Sequence, residues 1–162
     1  MNCYLGLDPG VSGGLACLYD DDTVEAIKMP DNLESIWVWL SRGRGPGTTY
    51  AAVEKVGGWI PGREHMAHGG QPGSRMFELG TVAGALRMAL VALGLRDTID
   101  EPGPRAWQKA VGVVRPKGTE YVAWKRMLKD HAQKRFPKLV VTLGTADALL
   151  IALYCKQKFS EV

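Results

Sequence analysis

The last part of the chain most constrains its fold. From Ala146 to Cys155 the sequence runs Ala-Asp-Ala-Leu-Leu-Ile-Ala-Leu-Tyr-Cys, and Thr145 can cap it as a helix. A helix apolar on every side must be largely buried, with a sheet or other helices around it. The uninterrupted apolar run Ala148 to Cys155 is far too short to span a bilayer. A chain of 162 residues is long enough to bury such a helix in one domain.

The rest of the pattern supplies the sheet. Cys3-Tyr4-Leu5-Gly6-Leu7 is strand-like and ends at the turn signal Asp8-Pro9-Gly10. Leu15 to Tyr19 makes a second strand. Asp20-Asp21-Asp22 turns into a third, around Val24 to Met29, and the three form an antiparallel meander. The three aspartates read as a solvated hairpin tip rather than a metal site, because adjacent carboxylates point different ways. Asp31 or Asn32 caps a helix through Ile36, Trp37 and Leu40, which stops in the loop Arg42 to Gly47. Tyr50 to Val56 is a fourth, apolar strand. Gly57 to Gly73 is Gly-rich and aperiodic, too long for a plain connector.

Ser74 caps a long helix to about Leu93, ended by Gly94. On it Gly80 and Gly84 permit close packing, and with Ala83, Leu86 and Leu90 they can line either a core contact or a two-fold interface. Asp97 to Glu101 is a short strand candidate. Pro104 opens a helix to Val111, and Thr119 caps one to Arg135 with Tyr121, Trp124, Leu128 and Ala132 inward. The expected fold class is α/β, one domain over 1–162, with a mixed central sheet of about five strands flanked by helices. Cys3, Cys17 and Cys155 suggest neither a disulfide framework nor a zinc site and fit a reducing compartment. No secretory signal is apparent, so the expected location is cytoplasmic.

Charge is distributed unevenly. Residues 1–103 hold 8 Lys+Arg against 13 Asp+Glu, whereas residues 104–138 hold 10 against 2. A basic segment of this kind is either a well-solvated helix or a nucleic-acid footprint.

Three acids stand where burial is expected: Asp8 at the end of the first strand, Glu54 inside the fourth, and Asp147 at the start of the buried helix. A buried unpaired carboxylate is costly, so each needs a partner. Singly, a turn, a lysine or a helix dipole accounts for each. Together, a shared hard cation such as Mg2+ or Mn2+ stabilises all three.

The segments carrying these acids resemble the RuvC-like Holliday junction resolvases. Leu5 to Ala16 is similar to their first strand and hairpin, with Asp-Pro-Gly carrying an aspartate. Ala52-Val53-Glu54-Lys55-Val56 resembles their glutamate strand, and Ala146 to Ala152 their final Ala-Asp-Ala-Leu helix. Pro104-Arg105-Ala106-Trp107-Gln108-Lys109 resembles a segment of bacteriophage-type members, which implies a host cytoplasm. The resemblance spans nearly the whole chain. It implies an RNase H-like fold, a homodimer, and metal-dependent symmetric nicking of four-way or other branched DNA, with no membrane and no nucleotide cofactor. Asp8, Glu54 and Asp147 would bind two Mg2+ or Mn2+ ions roughly 3.5–4 Å apart. Lys109 and Lys117 would act at the scissile phosphate. The family usually has a further acid or histidine three or four residues before the last aspartate, where this chain has Gly144 and Leu143.

Candidate phosphate contacts are Arg105, Lys109, Arg115, Lys117, Lys125, Arg126 and Lys129, with Arg63 and Arg75 from the Gly-rich loop and the helix after it. In that loop Trp59, Ile60, His65 and His68 either stack on bases or sit on a plain surface loop. Two further functions fit the same residues. One is a branched-DNA binder without catalysis. The other is a fragment of a sugar-kinase-like phosphotransferase, whose phosphate hairpin Gly6 to Ser12 also resembles; that class needs two such domains, and this chain has room for one.

Overall fold

The computed structural model describes residues 1–57 and 73–160. Within them the chain is an α/β protein built on one mixed five-stranded sheet with five α-helices. Strands β1 (Cys3–Asp8), β2 (Gly14–Tyr19) and β3 (Val24–Lys28) form the expected antiparallel meander. Gly10, at φ 122°, takes the left-handed region that the turn after Asp8 requires. Helix α1 (Leu33–Leu40) is capped by Asn32, whose side chain accepts from the Ser35 backbone N–H at 2.8 Å. Strand β4 (Thr49–Val53) then pairs parallel with β1. Helix α2 (Gly73–Ala92) precedes the short strand β5 (Ile99–Asp100), parallel to β4. Helices α3 (Pro104–Ala110), α4 (Tyr121–Arg135) and α5 (Leu143–Phe159) complete the chain. The sheet order is β3-β2-β1-β4-β5.

Strand alternation separates two cores. Tyr4, Ala16, Leu18 and Ala52 face α3, α4 and α5. Leu5, Leu7, Leu15, Ala51 and Val53 face the other way, toward Ile36 and Leu40 of α1 and Leu86 and Leu90 of α2. Helix α5 is buried from Thr145 through Leu153, as its composition requires. It lies against β1 so closely that a Cβ on Gly6 would strike the Ala148 carbonyl and the Ala152 amide. A Cβ on Gly14 would strike the Gly144 carbonyl. These two glycines set where α5 rests on the sheet.

Several local expectations are corrected. Strand β4 ends at Val53, so Glu54 lies one residue past it. Helix α2 begins at Gly73, which places Ser74 inside it. Helix α4 is capped at Glu120 rather than Thr119, and Tyr121 is exposed. Helix α5 starts earlier than Thr145: Thr142 is the cap and Thr145 answers it from the third position, in a capping box. Two threonines three residues apart look alike as caps until the reciprocal bond is seen. Residues Arg96–Thr98 form a 3-10 turn, which shortens the strand expected over 97–101. Gly80 and Gly84 make no close contact within the described chain, while Leu86 and Leu90 point into the core. Cys3 and Cys17 lie side by side across β1 and β2, with Cα atoms 6.3 Å apart, close enough for a disulfide, where the sequence suggested no disulfide framework. Hairpin register, which a spacing of 14 does not reveal, brings them together. Cys155 is free and buried. Among the described residues no helix is long and apolar enough to cross a membrane.

Candidate functional site

Period-two alternation puts Asp8 on the same face of β1 as Tyr4, and Glu54 on the same face as Ala52. Parallel pairing of β1 with β4 places Leu7 opposite Val53, so the two acids follow at adjacent strand ends. The Glu54 N–H continues the ladder by donating to the Leu7 carbonyl at 2.9 Å. Helix α5 covers this face and delivers Asp147, only 6% exposed. The three acids singled out in the sequence therefore converge.

Their electrostatics follow from that convergence. Burial holds the Asp8 carboxyl well above its ordinary value, and repulsion from Asp147 and Glu54 adds to it; Lys125 partly offsets this. Burial also raises Glu54, and Asp147 adds to the shift, while the Trp107 indole and Lys125 oppose it. Lys125, on α4, donates from Nζ to Asp147 Oδ2. Burial works against the Lys125 charge, but attraction from Asp147 and Asp8 outweighs it and holds the ammonium above its ordinary value. Trp107 is fully buried, and its Nε1 donates to Glu54 Oε2 at 2.7 Å. Asp147 Oδ1 is buried without a hydrogen-bond partner.

No three His, Cys, Asp or Glu side chains among the described residues stand together closely enough to hold a metal ion as they are. The donor chemistry nevertheless fits a hard divalent cation. Carboxylate oxygens are the ligands Mg2+ and Mn2+ take. Each of Glu54 and Asp147 has one oxygen engaged by the protein and one left over. An orphaned buried carboxylate oxygen beside two further acids is a place where a cation is stabilised.

Lys109 and Lys117 are both exposed, and neither makes an ion pair with the three acids among the described residues. Lys109 lies two residues beyond Trp107 on α3, about 200° around the helix from the side that meets Glu54. The cation the fold brings to the acids is Lys125, expected from sequence only as a phosphate contact. Its one visible signal was a position beside Trp124, at the edge of the buried stripe of α4. The Trp107 bond to Glu54, across 53 residues, had no local signal.

Of the other candidate phosphate contacts, Arg105, Arg115 and Arg126 are exposed and Lys129 is partly buried. Arg115 folds back, its Nε donating to the Thr119 carbonyl at 3.1 Å. Arg63, with Trp59, Ile60, His65 and His68, lies outside the described residues, and of Arg75 only the backbone, in α2, is described. The aspartates of the hairpin tip are engaged rather than merely solvated. Asp20 accepts from the Asn2 N–H at 2.7 Å and the Tyr4 hydroxyl at 2.9 Å, and Asp22 pairs with Lys156 at 3.0 Å.

Replacing Trp107 with Phe keeps most of the buried ring but removes the donor that fixes Glu54. Partners of this kind are worth roughly 10–100-fold in metal affinity or activity. Trp107→Phe is expected to weaken Mn2+ binding, measured calorimetrically, by a factor in that range. Unchanged affinity would mean that the indole does not orient Glu54.

No protein-family model matches the chain, and no curated protein matches its sequence.

Proposed function

We propose that this chain is a RuvC-like, structure-selective DNA endonuclease with an RNase H-like fold. It hydrolyses phosphodiesters in four-way junctions and related branched DNA, using Mg2+ or Mn2+ held by Asp8, Glu54 and Asp147. The observation that carries this reading is the meeting of three acids, distant in sequence, on one sheet face beneath α5, with Asp147 Oδ1 buried and unpaired. A mixed five-stranded sheet with helices is compatible with it.

The chemistry divides between cation and chain. The cation, when bound, supplies Lewis-acid stabilisation of the charge that develops on phosphate oxygens and activates a water. Asp8, Glu54 and Asp147 bind it. Trp107 keeps Glu54 in one orientation, and Lys125 limits the repulsion among the acids. The exposed cations Arg105, Lys109, Arg115, Lys117 and Arg126 contact phosphate and set affinity rather than sequence. A symmetric pair of nicks requires two such centres, hence a homodimer.

One observation favours a second reading, a branched-DNA binder without catalysis: the Lys125 ammonium already sits on Asp147, and no described trio of side chains is poised to hold a metal.

Junction binding in EDTA serves both readings and tests the basic surface. If these five exposed cations reach phosphate, affinity falls roughly 500-fold between 50 and 200 mM salt. A gel-shift titration that found affinity independent of salt would contradict this surface. Nicking in Mg2+ separates the two readings.

A further inference from the structure

We infer that Lys125 is the resident second cation of the carboxylate centre, so that the centre takes one divalent ion and not two. The inference deepens the proposed function and rests on it.

Oxygen count and charge both point this way. Trp107 occupies Glu54 Oε2 and Lys125 occupies Asp147 Oδ2. What remains among the described residues is Glu54 Oε1, Asp147 Oδ1 and the carboxylate of Asp8, which accepts no hydrogen bond there. Mg2+ needs only one or two carboxylates besides water and substrate oxygens, so this set suffices for one ion. A second ion would have to take Asp147 Oδ2, which the Lys125 ammonium already holds. The residues one helical turn before Asp147 are Gly144 and Leu143, which carry no side-chain oxygen.

The charges agree. Ionised to bind metal, the three carboxylates sum with the one ammonium to −2, which one divalent ion neutralises and two would reverse. The Lys125 side chain is 24% exposed and that of Asp147 9%, so this balance is struck largely out of water. Lys125 touches Asp147 and acts through it; it is a positioning residue.

The test counts ions. Mn2+ is titrated into the intact chain by calorimetry and by the electron paramagnetic resonance of free Mn2+, for the natural chain, Lys125→Arg, Lys125→Gln and Asp8→Asn. One ion per chain is expected for the natural chain and for Lys125→Arg, which keeps the charge. Lys125→Gln is expected to bind two, with nicking that needs at least tenfold more Mg2+. Two ions in the natural chain, or one in both it and Lys125→Gln, overturns the inference and leaves the nuclease reading standing. Should Lys125→Gln fail to fold, Lys125→Met, which also removes the charge, takes its place in the count. Mn2+ binding that is absent, or equal in the natural chain and Asp8→Asn, sinks the metal centre itself, a result distinct from a wrong count.

Discussion

Asp8→Asn should lower Mg2+-dependent nicking by at least about 10^3-fold, because it removes a ligand whose effect is felt in the transition state. Junction binding in EDTA or Ca2+ should survive. In the metal-free protein the same change should stabilise the fold. Asp8 is held well above its ordinary value of 3.8, first by burial and then by Asp147 and Glu54. The folded state therefore prefers Asp8 protonated. That preference contributes stability fully below the ordinary value of 3.8 and loses it as pH rises through the elevated one. At pH 8 in EDTA the charge is a burden that an amide lacks. The natural chain is therefore expected to melt below Asp8→Asn under those conditions. Melting curves from pH 5 to pH 8 should show the natural chain weakening relative to Asp8→Asn, with the gap closing when Mg2+ is added. An Asp8→Asn protein less stable than the natural one at pH 8 in EDTA would mean that the aspartate is a structural turn residue.

Gly6→Ala should be the most damaging single methyl in the described sheet. The new Cβ meets the Ala148 carbonyl and the Ala152 amide, which are backbone atoms of a buried helix and have no rotamer to escape into. Relief requires lifting α5 from β1. That separates the Leu149, Leu150 and Ile151 side of the core and carries Asp147 away from Asp8. Overpacking costs 1–3 kcal/mol where side chains yield, and more where backbone must move. About 4 kcal/mol is expected, a large share of a typical total of 5–15. A denaturation midpoint within error of the natural chain would show that α5 does not sit on Gly6 as described.

The strands and the three acids were legible because their signals are local. Alternation of period two, the Asp-Pro-Gly turn and an all-apolar helix each announce themselves within ten residues. Placing Asp8, Glu54 and Asp147 together required only that the fourth strand pair beside the first and that the last helix cover them. The partners of those acids were not legible. Trp107 reaches Glu54 because α3 packs against α5, and Lys125 reaches Asp147 because α4 lies beside α5. Both depend on how helices pack, and helical periodicity says which face is inward but not what it meets. The caps of α4 and α5 shifted by one to three residues for a related reason. Thr142 and Thr145 are both competent caps, and geometry alone selects between them, while α4 begins at Glu120 with no side-chain cap bond.

The most direct test is cleavage of a synthetic four-way junction by the intact chain in Mg2+, beside a linear duplex and a single strand of the same sequence. The account predicts paired nicks at symmetry-related positions near the branch point, no cutting of the other two substrates under the same conditions, and no cutting in EDTA or by Asp8→Asn or Glu54→Gln. Junction binding without cleavage over a full range of Mg2+ and Mn2+, or cleavage that both variants retain, would contradict it.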